Sequence, residues 1–126
     1  MQYLCLAYEK ENTSRSPSSP EGELLRSETL DYIRELKARG HMICADAFTG
    51  SRGAAKVRVR NGKTTVTDAP LSENNERLGG FFLVAARDLN EAIQLASKWP
   101  SARFGSIVIR PLEAALTAED PRRLPQ

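Results

Sequence analysis

A chain of 126 residues holds one domain, because a second independent core would have too few residues to be stable. Hydrophobic residues make up 40% and charged residues 27%, an ordinary globular composition, and 18 Lys and Arg against 16 Asp and Glu leave a net charge of +2, too balanced to mark a nucleic-acid binder. The longest apolar run, from Gly79 to Ala86, falls well short of the ~20 residues that span a bilayer. The first residues also lack the basic-then-apolar order of a signal peptide, so a cytoplasmic protein is expected.

The run Gln2 to Tyr8 (QYLCLAY) is rich in strand formers and predicts the first strand. A polar stretch rich in serine, Glu9 to Ser19, reads as a loop. Ser19-Pro20-Glu21 then supplies a cap, a first-turn proline and an acidic complement to the helix dipole. Leu25, Tyr32, Ile33 and Leu36 follow at helical spacing, and Gly40 marks the stop, giving a helix from Pro20 to Arg39. Met42 to Phe48 (MICADAF) is nearly continuous in apolar residues and predicts a strand covered on both faces. Ala55 to Arg60 alternates, with Ala55, Val57 and Val59 on one face and Lys56, Arg58 and Arg60 on the other. Asn61-Gly62 is a strong hairpin signal, and Lys63 to Asp68 is the return strand.

After a polar connection from Ala69 to Leu78, Gly79 to Ala86 predicts a further strand. Asp88 to Glu91 has the form of a capping box and starts a second helix, with Leu89, Ala92, Ile93, Ala96 and Trp99 as its apolar face and Pro100 as its stop. Gly105 to Arg110 is the last strand, ended by Pro111. The domain is therefore expected over residues 1–111, with residues 112–126 as a C-terminal tail.

This order is two strand–helix–strand units around an inserted hairpin, and right-handed crossovers place both helices on one face of a single sheet. Yet the strands are apolar at both parities: Tyr3 and Cys5 against Leu4 and Leu6, Phe82 and Val84 against Phe81 and Leu83. A second apolar face has to be covered, and a second copy of the chain is the simplest cover. A homodimer enclosing a cavity is the expectation.

Val66 to Glu73 (VTDAPLSE), followed by Arg77 to Leu83 (RLGGFFL), resembles the V-T-D-G-P-F-A-E and L-G-G-[FY] signature of the YCII-related, or DGPF-motif, family. The resemblance extends through Ala86 to Ala92 and Ala102 to Pro111, and the opening residues with Tyr3 and Tyr8 also suit it. It implies an α+β class: a ferredoxin-like sandwich with an inserted hairpin, assembled as a dimeric α+β barrel. Two departures stand out, since Ala69 replaces the motif glycine and Leu71 its phenylalanine. Some members are similar to dehydrochlorinases and pair a first-helix His with an Asp. The matching position here is Thr29 or a neighbour, and that helix has no His, so the dyad does not carry over.

Six residues stand out as candidates. Asp68, at the turn before Pro70, is either a carboxylate at a cavity mouth or an Asx-turn acceptor. Asp46 interrupts an apolar run, which places it at the cavity edge or in a salt bridge with Arg58 or Arg110. His41, after Gly40, is either an exposed cap or a catalytic group. Tyr8 either points into the cavity or packs with its hydroxyl in water. The basic row Lys56, Arg58 and Arg60, extended by Arg52 and Lys63, either attracts an anionic ligand or is a solvated hairpin face that discourages edge-to-edge aggregation. Interleaved aromatics are lacking, so nucleic acid is not the expected partner. Gly79-Gly80 opens a strand, whereas a phosphate loop opens a helix.

Cys5 and Cys44 are expected as buried free thiols, and with one His the chain has no plausible zinc ligand set. No cofactor is implied. Two functions fit. One is a small-molecule binder that acts as a cofactor-independent lyase or isomerase, with Asp46 and Asp68 as acid/base groups while Tyr8 and Arg110 orient substrate. The alternative is a non-enzymatic regulatory or protein-interaction module, since some relatives are linked to alternative sigma factors.

Overall fold

The computed structural model describes residues 1–10, 19–48, 54–68, 72–73 and 76–113. Strand β1 (Gln2–Lys10) leads to helix α1 (Pro20–Ala38), then β2 (Met42–Ala47) and the hairpin β3 (Ala55–Arg60) and β4 (Lys63–Asp68). A two-residue strand β5 (Ser72–Glu73), strand β6 (Glu76–Ala85), helix α2 (Leu89–Ser97), a 3₁₀ turn (Pro100–Arg103) and β7 (Gly105–Pro111) complete the order. The main sheet runs β2-β6-β1-β7, with β5 pairing to β6, and the pairings are antiparallel. This is the ferredoxin-like α+β arrangement, and β3 and β4 form a separate ribbon.

Local chemistry sets the helix ends. Ser19 Oγ accepts from the Gly22 amide at 3.0 Å, and Pro20 occupies the first turn. At the other end the Gly40 amide reaches the Lys37 carbonyl and the His41 amide reaches Leu36, a Schellman closure around Gly40 at φ 78°. Asp88 Oδ1 caps α2 through the Glu91 amide, but the Glu91 carboxylate accepts from Arg87 N, one residue before the cap, so the box is shifted outward. Asn61 and Gly62 both adopt positive φ (52° and 74°), as a two-residue hairpin turn requires.

The core lies between the sheet and the two helices. From the sheet come Tyr3, Cys5, Ala7, Phe82 and Val84, and from the helical layer Tyr32, Leu36, Ala92, Leu95, Ala96 and Trp99. Tyr32 fixes α1 to α2 by donating its hydroxyl hydrogen to the Leu95 carbonyl at 2.6 Å. Arg103 joins the 3₁₀ turn to α1 through Glu28 at 3.0 Å.

Four expectations need correcting. Strand β6 begins at Glu76, three residues before the apolar run, because β1 extends to Lys10 and offers it a ladder partner. The buried stripe of α2 includes Leu95, while Leu89 and Ile93 remain 49% and 48% exposed; small Ala92 and Ala96 set the helix against the sheet and leave those two at its flank. Strand β2 is covered on one face rather than both: Met42 and Ala45 pack against the core, while Cys44 and Asp46 lie on the open face. Cys44 is accordingly exposed, and only Cys5 is a buried thiol. Among the described residues, no helix is long and apolar enough to cross a membrane.

Candidate functional site

Strand alternation divides the sheet into two faces with different fates. Tyr3, Cys5 and Ala7 of β1 turn toward the helices and are buried; Leu4, Leu6 and Tyr8 turn the other way and are only half-buried. The register extends this second face across all four strands. Cys44, Leu83, Leu4 and Arg110 form one row, and Asp46, Phe81, Leu6 and Val108 the next. A third row holds Leu78, Tyr8 and Ser106, where a bulge after Ala7 shifts the β1–β6 pairing past Gly79. No described element packs over these rows. The floor is apolar and the polar groups lie at its margins.

Three of the six sequence candidates share this face. Tyr8 stands in the third row, opposite Leu78 and Ser106, and among the described residues its hydroxyl has no hydrogen-bond partner. Asp46 is exposed on edge strand β2, where its Oδ1 accepts from the Ala47 amide at 2.9 Å. Arg110 is exposed on the opposite edge strand β7, across from Leu4. Three strand spacings separate those edges, so Asp46 and Arg110 stand ~14 Å or more apart. Of the two readings for Asp46, the salt bridge to Arg110 is not formed, and Asp46 stands at the edge of the open face. Its alternative partner, Arg58, lies on the separate ribbon and makes no ion pair with it.

The other three lie elsewhere. His41 is not an exposed cap but a half-buried brace: its Nδ1 is 2.8 Å from the Ala85 carbonyl, which accepts, and the Ala85 amide donates back to the His41 carbonyl at 2.8 Å. This assigns the ring hydrogen to Nδ1 and ties the α1–β2 corner to the end of β6. Arg58 and Asp68 are exposed on the hairpin, Arg58 opposite Thr65 and Asp68 opposite Ala55. The turn that follows Asp68, where an Asx-turn was expected, lies outside the described residues. Thr29, at the position of the absent dyad histidine, donates its hydroxyl hydrogen to the Leu25 carbonyl within α1 at 2.7 Å.

The structure adds a pair that the sequence reading missed. Ser106 Oγ donates to Glu76 Oε2 at 3.2 Å, joining β7 to β6 over β1 beside Tyr8. Ser106 was traceable, because Ser106, Val108 and Arg110 alternate along one face of a predicted strand. Glu76 was not, since a glutamate before the apolar run carries no strand signal. Among the described residues, no group of three or more His, Cys, Asp and Glu is placed to hold a metal ion.

A two-layer α+β domain with one apolar sheet face uncovered and hydroxyl, carboxylate and guanidinium groups along its margins is the class that fold and site define. The chain belongs to the YCII-related domain family, which matches residues 1–114. It is 29% identical over 123 residues to an uncharacterised protein of Rhizobium meliloti (strain 1021), spanning 96% of this chain and 99% of that relative. Among solved structures it is similar to 5-chloro-2-hydroxyhydroquinone dehydrochlorinase from Burkholderia phenoliruptrix AC1100 in complex with 2,5-dihydroxybenzoquinone, with a TM-score of 0.49 and 14% identity over 90% of this chain and 94% of that one.

Proposed function

We propose that this YCII-related chain acts as a two-fold homodimer that holds a small organic molecule between two open sheet faces. The observation that supports this reading is the uncovered floor of Leu4, Leu6, Phe81, Leu83 and Val108, rimmed by Tyr8, Asp46, Arg110 and the Ser106–Glu76 pair. Stacking a second copy on the floor removes apolar surface from water and leaves the polar rim lining a cavity.

The rim selects the ligand class. Among the described residues Arg110 makes no ion pair, and its fixed fork of donors suits a carboxylate or similar oxyanion. Leu6, Leu83 and the Phe81 ring, which lies 6.0 Å from Phe48, suit an apolar or aromatic body. Asp46 is acceptor-only when ionised and is the acid/base candidate for a cofactor-independent lyase or isomerase step, with Tyr8 orienting a polar substituent. Asp68 enters the site only where the ribbon reaches the second copy, and Arg58, on the opposite face of the ribbon, lies outside it.

A thermal-shift screen of small aromatic acids and dicarboxylates tests this reading. The expected result is a raised melting midpoint with at least one aromatic acid, reduced in Arg110→Ala and retained in Arg34→Ala, a change on the outer surface of α1. An unchanged midpoint across the screen, or a shift indifferent to Arg110, removes the reading.

A further inference from the structure

The β3–β4 ribbon is built with two unlike faces and buries neither. Val57 pairs with Val66, Val59 with Thr64 and, at the open end, Ala55 with Asp68 on one side; Lys56 with Thr67, Arg58 with Thr65 and Arg60 with Lys63 occupy the other. Every residue of both strands is exposed, with Val57, Val59 and Val66 at 62%, 55% and 63%. A two-stranded hairpin alone is marginal in water, and alternation of this kind belongs to a ribbon with one face on an apolar surface. Among the described residues the charged side makes no ion pair and is solvated, while the valine side has no cover.

Area identifies the occupant. Four strands and three rows of the open sheet face give a plan area of about 350 Å². Roughly doubled by side-chain relief, this reaches only the lower half of the ~600–1,000 Å² that each partner contributes to a standard stable interface. One face of a six-pair ribbon adds about 200 Å² on the same plan measure. The ribbon follows β2, the edge strand that carries Asp46 of the open face, and Phe48 just beyond β2 lies against Phe81 of that face, so the ribbon follows in the chain the edge beside the surface proposed for the second copy.

We propose that the β3–β4 ribbon is a dimerisation arm whose Val57–Val59–Val66 face lies against the second copy of the chain, with the Lys56–Arg58–Arg60 face outward in solvent. This rests on the homodimer proposed above and assigns the ribbon to its interface. The outward basic face also keeps two like-charged arms from meeting within the dimer.

Sedimentation equilibrium on three full-length proteins tests it: the wild type, Val57→Thr/Val59→Thr/Val66→Thr, which keeps branched strand formers but removes the apolar face, and Lys56→Gln/Arg58→Gln/Arg60→Gln on the opposite face. The valine variant is expected to raise the dimer dissociation constant by about tenfold or more, and the basic-face variant by less than about threefold. Unchanged melting of the valine variant's dilute monomer shows that the core is intact. A valine variant that dimerises like the wild type overturns the arm while leaving the homodimer in place. A wild type that dimerises only through the basic face also overturns the arm. A wild type monomeric at every concentration overturns both.

Discussion

Phe82 of β6 lies flat against Trp99 at the end of α2, with ring centroids 4.0 Å apart and planes 14° from parallel. Tyr32 of α1 meets the same indole edge-on at 6.2 Å, so one tryptophan joins the central sheet to both helices. Phe82 is fully buried and Trp99 nearly so. Phe82→Ala is expected to cost about 3–5 kcal/mol, because the cavity has rigid walls on the indole side. The chain has a single Trp, so a urea titration followed by its fluorescence reads this contact directly. A loss under about 1 kcal/mol would show that the stack is dispensable.

The Tyr32 hydroxyl offers a finer probe of the same junction. Tyr32→Phe keeps the ring against Trp99 and deletes the hydrogen bond to the Leu95 carbonyl. The expected cost is about 1–2 kcal/mol, the usual effect of leaving a buried acceptor short of a donor. Denaturant midpoints of the two proteins at equal m-values measure it.

Gly105 admits no side chain, because a Cβ there would collide with the Tyr8 carbonyl oxygen on the neighbouring strand. The obstruction is backbone, so it cannot rotate aside. Gly105→Ala is expected to cost about 1–3 kcal/mol and to displace Tyr8, which reduces any ligand-induced melting shift as well as the melting midpoint. Unchanged values for both would mean that the β1–β7 ladder yields at this point.

The two thiols differ in kind. Burial pushes the Cys5 thiol up from 9.0 to about 12, whereas Cys44 is exposed on the open face. A thiol reagent at pH 8 is expected to label Cys44 and spare Cys5 until the chain unfolds. The same shift makes stability pH-dependent. Cys5 stays protonated in the fold while the unfolded thiol ionises, so stability is full below pH 9 and is lost progressively between pH 9 and about 12. Tyr32 acts in the same direction: burial, then the Glu35 carboxylate, raises it above 10.0, against a smaller lowering by Arg39. Melting midpoints from pH 7 to 11 check the sign, and Cys5→Ala should flatten the decline.

Elements whose signal is local were legible in the sequence. Ser19-Pro20 and Gly40 bound α1 within a residue of its position, and Asn61-Gly62 located the hairpin turn. Residues whose place depends on a neighbouring strand were not. Glu76 is a strand residue because Lys10 of β1 pairs with it, and Cys44 is exposed because it lies on the sheet face that no described element covers. The site divides along the same line. Tyr8, Asp46 and Arg110 stood out one by one for their chemistry, but only the register and the strand order β2-β6-β1-β7 show that they share a face, with Asp46 and Arg110 on opposite edges. His41 looked like a surface cap because nothing in its own segment announces the Ala85 carbonyl, 44 residues away.

The most direct test compares wild type with Leu6→Lys by sedimentation equilibrium from micromolar to several hundred micromolar. Leu6 occupies the middle row of the open face, so a lysine there reaches nothing in the helical core. The account predicts twice the chain mass for the wild type and a single chain for Leu6→Lys, with the Trp99 fluorescence of both unchanged. A wild type that remains a single chain over the whole range would contradict it.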